Sequence, residues 1–235
     1  MAERTRDDVL ANLEVVRTRM AAACERVGRH PASVRLVAAG KTVPADVLAW
    51  AREAGVRDVG ENYVKELRAK RHELPDVTWH FIGTLQSHTA HHVAELADVV
   101  ETVVPGRATS RLGRRASERG RRLTSLIEVD LTGSRTGVSP DDVPRAADEI
   151  AETDGLRLAG LMTLPPMPER PEDSRRFFRE LRSLLARVSE RHPGIVELSM
   201  GMSFDYEVAI EEGATMVRIG TALFGARPPT GTGRM

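Results

Sequence analysis

The sequence predicts one α/β domain, a (β/α)8 TIM barrel with an extra helix in front, on three observations. Eight short apolar runs are each followed by an amphipathic helix or helical turn. The 235 residues suit a compact barrel, and no linker or composition break divides them. Residues 1–227 therefore read as a single domain and residues 228–235 as a disordered tail. Finally, the glycines and polar residues gather just past the ends of the apolar runs, where a barrel carries its site. Strand–helix alternation alone also permits a doubly wound open sheet.

The elements follow in order. A first helix from Arg4 to Val27 places Val9, Leu13, Val16, Met20 and Val27 on one face, and Gly28 is placed to end it. Val34–Ala39 is the first strand, and the helix after it is opened by Pro44 and closed by Gly55. Arg57–Gly60 is the second strand, with a helix from Tyr63 to Glu73. Thr78–Ile82 is the third, followed by a His-rich helix, and Ala97–Val100 the fourth, followed by a helix through Arg111 and Ala116. Leu123–Val129 is the fifth, and Ser139-Pro140-Asp141-Asp142 starts a helix that reaches Ile150. Leu156–Leu161 is the sixth, followed by a proline-rich loop and a helix with Phe177, Leu181, Leu184 and Val188 on one face. Ile195–Leu198 and Thr215–Ile219 complete the set.

Composition narrows the function. Basic and acidic residues balance at 34 each, which gives no global pull toward nucleic acid or an anionic membrane. The basic run from Arg111 to Arg122 alternates with Ala, Gly and Glu and reads as a solvated helix face. The single cysteine, Cys24, excludes an internal disulfide and falls on the apolar stripe of the first helix. No run approaches membrane-spanning length, and the opening MAERTRDDVL has no apolar signal core, so a cytoplasmic protein is expected. Only Lys41, Lys65 and Lys70 are lysines in an Arg-rich chain. Lys65 and Lys70 read as surface residues, whereas Lys41 follows the first strand in VRLVAAGKT.

The richest stretch is Leu198 to Gly225. Two turns, Ser199-Met200-Gly201-Met202-Ser203 and Arg218-Ile219-Gly220-Thr221, follow strands seven and eight. Both offer backbone N–H groups and hydroxyls with little bulk, the chemistry that holds a phosphate. Glu61-Asn62-Tyr63 follows strand two, Gly83 and Gln86-Ser87 strand three, and Met162-Thr163 strand six. Gly40-Lys41-Thr42 is not a P-loop, because that motif needs glycine where Arg35 stands. An apolar setting instead favours the neutral amine, which forms a Schiff base with an aldehyde.

The motifs GKT, GENYVKE, WHFIGTLQS, GLMTL, LSMGMSFDYEVAI and VRIGTALFG, in this order from Val34 to Arg227, resemble those of the YggS/PROSC group. These pyridoxal phosphate homeostasis proteins look like the N-terminal barrel of alanine racemase. The resemblance implies a (β/α)8 fold with pyridoxal 5′-phosphate held as a Schiff base on Lys41. It implies that Arg218 faces the pyridine nitrogen, that Ser199, Gly220 and Thr221 serve the phosphate, and that Asn62 sits near the ring. Met200 and Met202 are expected beneath the cofactor or in the barrel mouth. An arginine at the ring nitrogen disfavours its protonation, and an unprotonated pyridine is a poor electron sink. The chain departs from the family pattern at Gly40, where serine is common, at His88-Thr89 in place of Asn-Lys, and at Arg135 in a KSG-like turn.

His88, His91 and His92 have metal-like spacing but no local acidic or cysteine partner, so a solvated face is expected and no metal. Asp205 and Glu207 read as helix-capping acids rather than a catalytic pair. The function expected is to buffer pyridoxal phosphate and deliver it to apoenzymes, without robust catalysis and as a monomer. The alternative is an amino-acid racemase, which needs bases on both faces of the α-carbon. Besides Lys41 the sequence offers only Tyr63 and Tyr206, and neither matches the racemase tyrosine, which comes from a second domain not expected in this chain. A barrel for another phosphorylated metabolite is the third candidate, disfavoured by Lys41.

Overall fold

In the computed structural model, residues 4–226 are described; the predicted tail at 228–235 lies outside them. Helix α1 (Arg6–Arg26) starts where the Thr5 hydroxyl accepts the Asp8 N–H at 3.2 Å. It buries Val9, Leu13, Val16, Met20, Ala23 and Cys24. Gly28, at φ 67°, ends it by reversing the backbone, and Arg29 N–H reaches back to Cys24 O at 2.9 Å. Val27 falls on that reversal and is exposed, so it does not continue the stripe as expected.

Eight strands then alternate with helices: β1 (Arg35–Ala39), α2 (Ala45–Glu53), β2 (Asp58–Glu61), α3 (Val64–Glu73), β3 (Thr78–Phe81), α4 (Ala90–Leu96), β4 (Val99–Val103) and α5 (Arg107–Ser117). The second half comprises β5 (Leu123–Val129), α6 (Val143–Ala151), β6 (Leu156–Thr163), α7 (Arg175–Ser189), β7 (Glu197–Met202), α8 (Tyr206–Glu211), β8 (Met216–Ile219) and α9 (Thr221–Phe224). All neighbours are parallel, and β8 closes on β1 with Arg35 opposite Met216 and Ala38 opposite Ile219. Closure excludes the open-sheet alternative.

Three predicted details change. The fourth strand begins at Val99, because Ala97 caps α4, and it continues to Val103 through Glu101. Strands six and seven run on to Thr163 and Met202, past the apolar residues that marked them. On α7 it is Phe178, not Phe177, that joins Leu181, Leu184 and Val188 in the core, since three-residue spacing from Leu181 selects it.

Most of the apolar core lies between the barrel and its helices. The barrel interior holds a smaller apolar plug of Val37, Val99, Leu126, Met162 and Met216. The rest of the interior on β2, β3, β4, β7 and β8 carries polar and charged side chains, among them His80, Glu101, Ser199 and Arg218. That departure from an aliphatic filling leads to the site.

Candidate functional site at the barrel mouth

A cavity of about 480 Å³ opens at the C-terminal ends of the strands and brings together Lys41, Asn62, Ser203, Arg218, Gly220 and Thr221. That volume suits a small ligand. Apolar walls come from Ile82, Leu164, Met167, Met202 and Phe204. A second cavity of about 410 Å³ lies on the other side of Lys41 and Asn62, against Tyr63, Phe81, Thr84, Gln86 and Thr89. Lys41 Nζ stands 5.1 Å from the centre of the Tyr63 ring.

On one wall, the backbone N–H groups of Gly220 and Ala222 converge on a single oxygen, Ser203 Oγ, both at 3.1 Å. Two main-chain donors aimed at one oxygen, with the exposed Thr221 hydroxyl beside them, make a donor set suited to an anion's oxygen. Gly201 allows the β7 turn to come in close: its φ is 88°, and a Cβ there would lie 2.4 Å from Ala209 Cβ.

Two of the expected residues do not line the cavity. Ser199 is fully buried behind Arg218, and its hydroxyl donates to Glu101 and accepts from Arg218 Nη1. It braces the arginine, and Ser203, four residues on, lines the cavity. Met200, next to the inward-facing Ser199, packs in the outer core, and Met202, past a register shift in β7, reaches the mouth.

Arg218 is the end of a buried chain through the barrel. Its Nη2 donates to Thr163 O at 2.8 Å, and its Nη1 lies 3.6 Å from Glu101 Oε2. Glu101 Oε1 meets His80 Nδ1 at 2.7 Å, and His80 Nε2 meets Asp58 Oδ1 at 3.0 Å. Burial alone would lower the His80 pKa, but the two carboxylates outweigh it and push it up to about 9. Burial likewise works to raise Glu101, but His80, Arg218 and Ser199 hold it below the usual carboxylate range. Burial pushes Arg218 down against the attraction of Glu101, Asp205 and Glu128. The chain thus alternates anion, cation, anion, cation.

A different cluster surrounds the lysine turn. Lys70, expected on the surface, is buried, and its Nζ donates to Glu61, to Glu66 Oε2 at 2.8 Å and to Gly40 O at 2.9 Å. Two carboxylates and a carbonyl replace the water it gives up. Glu66 Oε2 also accepts the Thr42 N–H at 3.0 Å. Thr42 is the one non-glycine residue of positive φ among those described, at 64°, a conformation that costs a β-branched residue about 1–2 kcal/mol. Gly40 has its own reason: a Cβ would lie 2.9 Å from Glu61 Oε1. The carboxyl of Glu61 is raised by burial, with Lys70 opposing; Glu66 is lowered despite its burial, by Lys70 and the Thr42 N–H.

Asn62 borders both cavities, and its Nδ2 donates to Ile82 O at 3.3 Å. Gly83 is required beside it, since a Cβ would lie 2.0 Å from Asn62 O. Asp205 does not cap α8 with its side chain; it accepts Met202 N–H and the Ser174 hydroxyl, both at 2.7 Å, and fixes the β7 turn. Glu207 pairs with Arg19 and Arg26. Thr89 Oγ1 donates to Gln86 O, and the Arg135 turn wraps Asp130, which accepts its N–H at 2.8 Å. His88 is exposed, and His91 and His92 stack on each other 3.7 Å apart. Among the described residues no group of three His, Cys, Asp or Glu side chains could hold a metal ion, and no helix is long and apolar enough to cross a membrane.

Residues 8–228 match the family of alanine racemase N-terminal domains. The pyridoxal phosphate homeostasis protein of Pseudomonas aeruginosa is 42% identical over 224 residues, which cover 93% of this chain and 96% of that protein. PipY of Synechococcus elongatus, whose structure was solved with PLP bound, superposes with a TM-score of 0.78 at 35% identity, over 88% of this chain and all of that one. An alanine racemase of Clostridium difficile shares the fold at a TM-score of 0.75 and 15% identity, and this chain covers 58% of it.

Proposed function

We propose that this chain, which belongs to the alanine racemase N-terminal domain family and within it to the pyridoxal phosphate homeostasis proteins, binds pyridoxal 5′-phosphate to buffer and deliver it. The observation that carries the reading is the single cavity in which a lysine, an arginine and a convergent pair of N–H donors face one space. Those residues fit the cofactor. Gly220, Ala222, Ser203 and Thr221 offer donors for a phosphate, Arg218 a fixed cation for the ring nitrogen, Asn62 an amide near the ring, and Lys41 an amine for the aldehyde. When bound, pyridoxal phosphate supplies an aldehyde that condenses reversibly with amines.

The residues support holding over turnover. Arg218 stays protonated, so a ring nitrogen against it gains no proton and the ring withdraws electrons weakly. Racemisation would need a second base opposite Lys41. Tyr63 stands beside Lys41 itself, and Tyr206 is buried on α8, outside both cavities. On this reading the protein acts as a monomer. The apoenzymes that take up the cofactor are the partners, and the cytoplasm, where they are made, is the compartment.

The purified protein should take up pyridoxal phosphate and turn yellow, and borohydride should fix the cofactor on the peptide containing Lys41. Lys41→Ala should abolish the fixed adduct while keeping phosphate-dependent binding. A colourless protein that takes up no cofactor overturns the proposal. Sustained interconversion of L- and D-alanine in a chiral assay would replace it with the racemase.

A further inference from the structure

We infer that Glu66 and Lys70 are positioning residues for Lys41: they clamp the backbone on both sides of it and hold the turn that aims its amine into the cavity. The inference rests on the reading of Lys41 as the cofactor's anchor. The clamp is visible atom by atom. Lys70 Nζ takes the carbonyl of Gly40, immediately before Lys41. Glu66 Oε2 takes the N–H of Thr42, immediately after it. The two clamping side chains are joined at 2.8 Å, one turn apart on α3, so both flanks of Lys41 are tied to one rigid element. Glu61, fully buried, completes the charge balance and places Asn62 next to the same cluster.

The turn needs this hold. Thr42 sits at φ 64°, where a β-branched residue does not stay unless its surroundings fix it. Glu66 supplies the one hydrogen bond its N–H makes. Release of that bond lets Thr42 relax to negative φ, and the peptide that carries Lys41 rotates with it. Attachment is sensitive to such rotation. The free amine must reach the aldehyde carbon, a C=N bond replaces C=O, and the oxygen leaves as water, so the nitrogen must be aligned when the bond forms. The phosphate donors lie just past the ends of β7 and β8 and at the start of α9, outside the clamp.

The test separates attachment from binding. Pyridoxine 5′-phosphate, an alcohol without the aldehyde, reports the phosphate and ring contacts alone. Glu66→Ala should slow the appearance of the borohydride-trappable adduct by about tenfold or more, with affinity for pyridoxine 5′-phosphate within about twofold of the parent. Thr42→Gly in the Glu66→Ala background should restore the rate to within about threefold, because glycine holds a positive φ without help. If Glu66→Ala does not fold, Glu66→Gln and its Thr42→Gly double variant are measured against the same criteria. An unchanged attachment rate overturns the inference. So does a parallel fall in rate and analogue affinity, or a failure of Thr42→Gly to rescue. If the parent protein itself takes up neither ligand, the fault lies with the anchor reading and not with the clamp.

Discussion

On the lysine side of the mouth the brace is drawn from one stretch of chain and is shallow at its outer member, Glu66. Glu61, Glu66 and Lys70 lie within ten residues of one another, and the Glu66 side chain keeps 29% of its exposure. On the arginine side the brace is long-range and deep: Asp58, His80, Glu101, Ser199 and Arg218 come from five strands, and Glu101, His80 and Ser199 have no exposure at all. The lysine turn is tied to one helix, at its outer edge through a carboxylate that meets solvent. The guanidinium is locked inside the closed barrel. The contrast suits a site in which one partner exchanges a bond and the other holds a fixed charge.

The largest effect should come from the deep side. Glu101→Ala leaves Arg218 and His80 buried without their shared anion and should destabilise the fold by about 3–5 kcal/mol in urea unfolding. Lys70→Met on the shallow side should cost less, about 1–2 kcal/mol, because Glu61 can take up a proton instead. Equal losses would erase the distinction between the two braces.

Next comes pH. The His80 pKa is raised from 6.5 to about 9 in the fold, so its stabilising effect is complete below 6.5 and is lost as pH rises through about 9. The stability advantage of the parent over His80→Gln should therefore shrink between those values. Asp58 and Glu101 bond its two ring nitrogens, and Arg218 lies beyond Glu101. An advantage that grows with pH would mean that His80 is neutral in the fold.

The smallest effect sharpens the shallow side. Thr42→Gly removes the left-handed penalty and adds chain entropy to the unfolded state, a net gain of about 0.5 kcal/mol in thermal or urea unfolding. A loss would mean that the Thr42 side chain itself supports the turn.

This division also explains what could be read from the sequence. The barrel was legible because its apolar runs and amphipathic helices are local patterns. Lys41, Asn62, Gly220 and Thr221 follow strand ends, Arg218 on β8 was placed through the family resemblance, and all five border one cavity. Ser199 and Ser203 sit in the same turn, but Ser199 lies buried within β7 and Ser203 just past its end at the mouth, a difference of depth that residue type does not show. Lys70 looked like one more polar residue on a charged helix, since its partners Gly40 and Glu61 belong to other elements. Glu101 and His80 did leave a trace: each is a lone titratable residue inside an apolar run, VVETVV and TWHFI. Such a residue needs a buried partner, but sequence distance hides which one; Ser199 is 98 positions from Glu101.

The alternating charges inside the barrel have a consequence for heredity. A change at Asp58, His80, Glu101 or Arg218 alone strands a neighbour's charge away from water. No single step through that set is neutral, so a lineage that alters one member has to alter another with it. The members should drift together or stay put, while the exposed helix faces around them change freely.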